Sequence, residues 1–258
     1  MALQFAYSTI NWGTKADLAA MFEEIRAAGW DAVELFDHPL DWLGSMDRLR
    51  ELLGGLKVAT SFGGLEVPVS AESITIHKQR IEYAGRIGAT MYGLVGGARL
   101  RQRPPTKEEY ANLAAACEEL AVFGADWGVT AAYHPHTGCT IETQDEIDLL
   151  LDQTQRMKLC LDASHIALVE EDPAAHIHKY RERLGYVHVK DWARGKFVEL
   201  GEGTLGIDFP AFFHALEEIG FDSWVVVENS RSDVSPATSA GVNAAYLRRL
   251  GYSLGVVS

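Results

Sequence analysis

The chain has 258 residues, 47% of them apolar, and a formal net charge of −13. That length and apolar content allow one large core, and the acidity argues against nucleic acid or an anionic membrane surface as partner. Cys117, Cys139 and Cys160 are odd in number and widely spaced, so no disulfide framework or CxxC pair is expected. The first residues lack a basic stretch followed by a long apolar run, and they read as a strand rather than a signal peptide. No apolar run approaches the roughly 20 residues that a membrane span needs. A cytoplasmic location in a reducing compartment is the expectation.

Short β-prone runs alternate with amphipathic helical stretches along the whole chain. Residues 3–7 form the first predicted strand, and residues 14–28 the first helix, with Leu18, Met21, Phe22 and Ile25 on one face and Gly29 to end it. Strand two is 31–35 (DAVEL), followed by a helix over 46–53; strand three is 56–61, followed by a helix over 71–87 that Gly88 stops. Strand four is 90–95 and runs into a Gly96-Gly97 turn. The helix predicted over 106–123 opens on a capping box, Thr106 with Glu109. Strand five is 128–133, and Thr143 with Glu146 suggests a second capping box for the helix after it. Strand six is 158–161. Asp172 and Pro173 start a helix over 173–183, strand seven is 184–189, and Asp208 with Pro210 starts a helix over 208–219. Strand eight is 224–227, and a helix over 237–250 closes the chain.

Eight strands and eight helices in strict alternation, with no linker between them, predict a single (β/α)8 TIM barrel spanning 1–258. Neither GxGxxG nor GxxxxGK[ST] directly follows any predicted strand, so a dinucleotide or P-loop fold has no local support.

In such barrels the active site lies at the C-terminal ends of the strands. Here four polar residues stand at or just past the ends of the last four: His134, Asp162, His188 and Glu228. Two imidazoles and two carboxylates make a mixed N/O donor set for one divalent cation, so these four are the candidate metal ligands. Mn²⁺, Co²⁺, Zn²⁺, Fe²⁺ and Mg²⁺ all suit such a set, in no order that these residues fix. Taken singly, each has a plainer reading as a helix cap, an ion-pair partner or a core histidine. Together, four such residues ending four successive strands point to one site.

These residues carry a resemblance. The run 29–35 (GWDAVEL), Asp162-x-x-His165, His188-Val189-Lys190-Asp191, Gly201-Glu202-Gly203 ahead of Ile207-Asp208-Phe209, and 224–228 (WVVVE) are similar, in this order, to the xylose isomerase-like barrels. That superfamily includes sugar isomerases, epimerases and inosose dehydratases. Residues 133–191 most resemble inosose (2-keto-myo-inositol) dehydratases, although Ala163-Ser164 departs from their usual Thr-Gly. Ketohexose 3-epimerases carry glutamate where this chain has His134, which argues against a two-glutamate epimerase mechanism.

The resemblance implies proton abstraction α to the carbonyl of a small keto-sugar or keto-cyclitol, with a divalent metal polarising the carbonyl. Loss of a β-hydroxyl would make the enzyme a lyase; reprotonation of the enediolate would make it a sugar isomerase or epimerase. Glu228 or His165 is the expected proton-transfer group. Lys190 would stabilise oxyanion charge or assist a leaving hydroxyl, unless it is spent on an ion pair with Asp191 or Asp162. Glu34, His136, Arg194 and Asp191 are the candidate substrate contacts, with His136 alternatively orienting a ligand. Trp12, Phe36, Trp42, Phe62 and Trp192 could wall a sugar pocket. A homodimer or homotetramer is compatible with this reading. Two rivals stay open. One is an endonuclease IV-like relative, against which the charge speaks. The other is a non-catalytic barrel that binds metal or sugar.

Overall fold

The computed structural model describes residues 2–99, 103–230 and 232–254. Its barrel strands are β1 (Gln4–Ser8), β2 (Ala32–Phe36), β3 (Lys57–Leu65), β4 (Met91–Gly96), β5 (Thr130–Tyr133), β6 (Lys158–Asp162), β7 (Leu184–Val189) and β10 (Trp224–Val227). All pair in parallel and close in the order β1-β10-β7-β6-β5-β4-β3-β2, with β2 returning to β1. Helices α1 (Leu18–Ala27), α3 (Met46–Leu53), α4 (Ala71–Ile87), α5 (Lys107–Ala125), α6 (Gln144–Asp152), α8 (Pro173–Tyr180), α9 (Phe209–Glu218) and α10 (Pro236–Arg249) wrap the outside. Two shorter ones, α2 (Leu40–Leu43) and α7 (Ala163–Leu168), sit in the loops after β2 and β6. The predicted eight-stranded barrel is therefore the observed architecture.

Local chemistry sets most boundaries. Thr106 and Glu109 form the reciprocal capping box: Glu109 N–H donates to Thr106 Oγ1 at 3.2 Å, and Thr106 N–H donates to Glu109 Oε2 at 2.7 Å. Asp172 and Asp208 cap α8 and α9 as expected, by accepting from Ala174 and Ala211 N–H. Helix α1 starts at Leu18 rather than at residue 14, because Asp17 Oδ1 accepts from the N–H groups of Ala19 and Ala20 and so ends the extended chain there. Strand β3 runs on through Gly63-Gly64 to Leu65, since β4 supplies partners along that whole length.

The short helices α2 and α7 went unpredicted, and so did a pair of strands. After β7 the chain folds into a hairpin, β8 (Asp191–Ala193) against β9 (Lys196–Val198). Its two-residue turn is Arg194-Gly195, with φ of 54° and 80°. Both values are positive, as a type I′ turn requires, and an arginine at the first position gives little sequence signal for it.

Successive strand residues face opposite sides. One set, with Phe5, Tyr7, Val33, Leu35, Leu159, Val187 and Val225, packs against the helices. The other fills the barrel with Ala6, Ala32, Ala132, Cys160, Tyr186 and Val226. Gly93 on β4 is required there: a Cβ would lie 2.1 Å from the Tyr186 hydroxyl and 2.2 Å from the Phe62 ring.

His77 of α4 is buried, bonding the Tyr92 hydroxyl at 2.7 Å and donating from Nε2 to the Gly64 carbonyl at 3.0 Å. Burial pushes its pKa down from 6.5 to about 4. The folded state therefore binds the proton less readily than the unfolded chain. Its contribution is complete above pH 6.5 and is lost as pH falls towards 4, by roughly 3 kcal/mol. In urea unfolding at pH 7 and pH 4, His77→Gln should lose less stability between the two pH values than the unaltered protein does.

Candidate metal centre

Period-two alternation builds the site directly on the inner apolar layer. Two residues beyond Ala32 is Glu34; beyond Ala132, His134; beyond Cys160, Asp162; beyond Tyr186, His188; and beyond Val226, Glu228. All five side chains are buried, Glu34 and His188 at 0% exposure. His134, Asp162, His188 and Glu228 each offer a ligand atom within 4.8 Å of the others, and so could hold one ion. Asp162 and His188 are directly paired residues of β6 and β7.

Each group is oriented by a neighbour. His134 Nδ1 donates to the Cys160 carbonyl at 3.1 Å, which leaves Nε2 as its lone-pair nitrogen. Asp162 Oδ1 caps α7, accepting from Ser164 and His165 N–H at 2.8 and 3.2 Å, while Oδ2 is buried and makes no hydrogen bond. His188 Nε2 donates to Glu34 Oε2 at 3.0 Å, and its Nδ1 lies 2.8 Å from Glu228 Oε2; neither of that last pair forms a hydrogen bond. One buried polar atom each of Asp162, His188 and Glu228 thus lacks a hydrogen bond, with Asp162 Oδ2 meeting only the Lys190 ammonium. Orphaned buried polar atoms are costly, and a divalent cation there would satisfy all three with a donor set suited to it.

Lys190, 1% exposed, reaches Glu228 Oε1 at 2.8 Å and Asp162 Oδ2 at 3.2 Å, and lies over the Phe197 ring at 4.4 Å. Its ion pair is with Asp162 and Glu228, not with Asp191. Burial resists its charge, but those carboxylates raise its pKa above the usual lysine range. Burial would likewise raise Glu228; Lys190 and His188 hold it well below the usual carboxylate range. Burial lowers His134, His136 and His165, with the Lys190 charge adding to it in all three, so they are neutral. Burial also opposes charge on His188, yet Cys160 and Glu34 beside the ring push it well above 6.5.

His165 packs against His136 with the ring centroids 3.7 Å apart and the planes tilted by 42°, and stands 5.4 Å from His134. Thr137 N–H and the Thr137 hydroxyl both lie against its Nδ1, at 3.4 and 2.9 Å. A main-chain N–H can only donate, so Nδ1 accepts and Nε2 carries the hydrogen. That Nε2 is buried without a partner.

The other sequence candidates divide. His136 donates from Nδ1 to the Thr137 carbonyl at 2.7 Å and is half-buried beside the cluster. Glu34 faces His188, not solvent. Asp191 commits both oxygens to its own loop: Oδ1 accepts from Trp192 N–H at 2.8 Å, and Oδ2 from Gly201 and Gly203 N–H at 3.1 and 2.9 Å. A Cβ on Gly203 would fall 1.6 Å from Asp191 Oδ1, which accounts for the glycine in Gly201-Glu202-Gly203. Arg194 stands exposed at the hairpin tip. Ser164 bonds the Lys190 carbonyl through its hydroxyl, so the departure from Thr-Gly ties α7 to the end of β7.

Of the aromatics, Phe62 lies 5.6 and 5.7 Å from His134 and His188 and stacks on Phe36 at 4.7 Å. Trp12 and Trp42 are spent elsewhere, donating to Glu24 and the Ala16 carbonyl. Trp192 packs on Phe197, which itself lies 5.5 Å from His165. The sequence reading missed Phe197 because the hairpin that carries it was missed.

The family model for xylose isomerase-like TIM barrels matches residues 22–250. The chain belongs to that family. Among similar proteins, the rhizopine catabolism protein MocC of Rhizobium meliloti is 27% identical over 99% of this chain and 90% of its own length. An inosose dehydratase of Lacticaseibacillus casei is 29% identical over 55% of this chain and 54% of its own, so that match spans about half of each. Among solved barrels of this fold, an L-ribulose 3-epimerase superposes with a TM-score of 0.81 at 22% identity, over 96% of this chain and 94% of its own. The IolI protein with a bound zinc atom gives 0.76 at 20% identity, over 98% of each. No described helix is long and apolar enough to cross a membrane.

Proposed function

We propose that this chain is a cytoplasmic, divalent-metal-dependent enzyme that removes the proton α to the carbonyl of a small keto-sugar or keto-cyclitol, in the manner of an inosose dehydratase. The observation that carries this reading is the cluster in which Asp162, His188 and Glu228 leave buried atoms without hydrogen bonds, with His134 beside them. The names of the matched relatives, inosose dehydratase among them, support the carbohydrate class.

His134, Asp162, His188 and Glu228 would hold the cation, Mn²⁺ or Co²⁺ in first place, which when bound supplies Lewis-acid polarisation of a substrate carbonyl. Glu228 is the base, and Lys190 and His188 keep it ionised. His165 is the donor, since Thr137 fixes its hydrogen on the unpartnered Nε2. Lys190 brings a fixed positive charge to where oxyanion character develops. Phe62 and Phe197 are the apolar walls beside these groups.

Dehydration needs one base and one donor, and this set supplies one of each. Epimerisation needs bases on two faces, and His134, whose Nδ1 is bound to the Cys160 carbonyl, replaces the carboxylate that would provide the second. Metal-loaded protein should exchange solvent deuterium into inosose, with growth of the ultraviolet absorbance of an unsaturated diketone. Exchange with mass conserved would favour isomerisation or epimerisation. No exchange with any ketose or inosose would overturn the enzymatic reading.

A further inference from the structure

We propose that Glu34 is a positioning residue that decides which nitrogen of His188 faces the metal centre. The inference rests on the metal-binding reading above. Glu34 and His188 are both at 0% exposure, and Glu34 Oε2 lies 3.0 Å from His188 Nε2. A carboxylate only accepts, so Nε2 keeps its hydrogen. In the neutral ring that a cation requires, the nitrogen left to present a lone pair is Nδ1, the atom 2.8 Å from Glu228 Oε2 and without a hydrogen bond of its own. The imidazole has two ways to place its hydrogen, and the buried carboxylate selects one.

Glu34 is itself held in place. The same Oε2 accepts from the Thr60 hydroxyl at 3.2 Å and the Tyr186 hydroxyl at 3.4 Å. A register shift between β2 and β3 brings Thr60 opposite Glu34: Val33 pairs with Val58, but Glu34 pairs with Thr60. Gly93 leaves the room that the Tyr186 hydroxyl occupies. These three elements fix a carboxylate that reaches across the barrel interior, because β2 and β7 are separated by β1 and β10. With no surface on solvent, Glu34 acts through His188 rather than on substrate.

The test is metal affinity, read by competition with a chromophoric chelator for zinc and manganese. Glu34→Ala should weaken both about 100-fold and Glu34→Gln, which keeps an acceptor oxygen but not the charge, about 10-fold. In zinc-loaded, ¹⁵N-histidine-labelled protein, the His188 Nε2–H resonance should persist in the unaltered protein and in Glu34→Gln, and be lost to solvent exchange in Glu34→Ala. If Glu34→Ala does not fold, Glu34→Gln carries the affinity test. Unaltered protein that binds metal, with a folded Glu34→Gln binding it equally well, overturns this inference alone. Unaltered protein that binds neither metal overturns the metal-binding reading and this inference with it.

Discussion

Asp162→Asn should strip the protein of metal while leaving its fold in place. Asp162 does two separate jobs with its two oxygens. Oδ1 starts helix α7 by accepting from Ser164 and His165 N–H, and an asparagine carbonyl can do the same. Oδ2 is the buried, orphaned atom beside Lys190. An amide nitrogen there cannot ligate a cation, and it places N–H groups against an ammonium. The expected result is a fall in bound divalent metal from near one per chain to near zero. Exchange of the α-proton should drop by about 10³-fold, the loss of roughly 4 kcal/mol of charge stabilisation. Metal analysis and deuterium exchange measure these two quantities, and far-ultraviolet circular dichroism in chelator should show the same secondary structure as the unaltered protein. A variant that retained full metal content would remove Asp162 from the site.

Lys190→Met should show an opposite pairing of effects. The Lys190 ammonium is buried against two carboxylates. Removing one partner of a buried charged group leaves the others uncompensated, which typically costs about 3–5 kcal/mol. In chelator the variant should therefore melt roughly 10 °C lower, using the usual few degrees per kcal/mol for a chain of this size. Divalent cation should then stabilise it more than it stabilises the unaltered protein, because the ion takes over the neutralisation of Asp162 and Glu228 that the ammonium provided. Proton-transfer activity should nevertheless fall about 10²-fold, since the positive charge placed for a developing oxyanion is gone. Thermal melts in chelator and in zinc, run beside the exchange assay, read all three effects. An equal metal-induced shift in both proteins would mean that Lys190 does not balance these carboxylates.

The legible features were those with short-range causes. Capping at Thr106, Asp172 and Asp208 depends on residues three or fewer apart, so it could be read directly. The predicted start of α1 at residue 14 was too early, because Asp17 accepts from two backbone N–H groups and sets the start at Leu18. The hairpin at Arg194-Gly195 was missed because its first turn residue is not one that favours positive φ. Phe197 was lost with it. Asp191 was assigned to substrate because it stands beside His188 and Lys190 in the chain. The structure turns it instead onto Gly201 and Gly203, ten and twelve residues ahead.

The sequence by itself determined the order of strands and helices, the caps, and the inward parity of His134, Asp162, His188 and Glu228, because a strand's two-residue period is a local property. Only the closed barrel decided that Glu34 meets His188, that Lys190 pairs with Asp162 and Glu228, and which nitrogen of each histidine is left over. Those outcomes depend on the register between strands and on which residues meet across the barrel. Both are set when hydrogen bonding between distant segments closes the sheet, and no neighbouring residue encodes them.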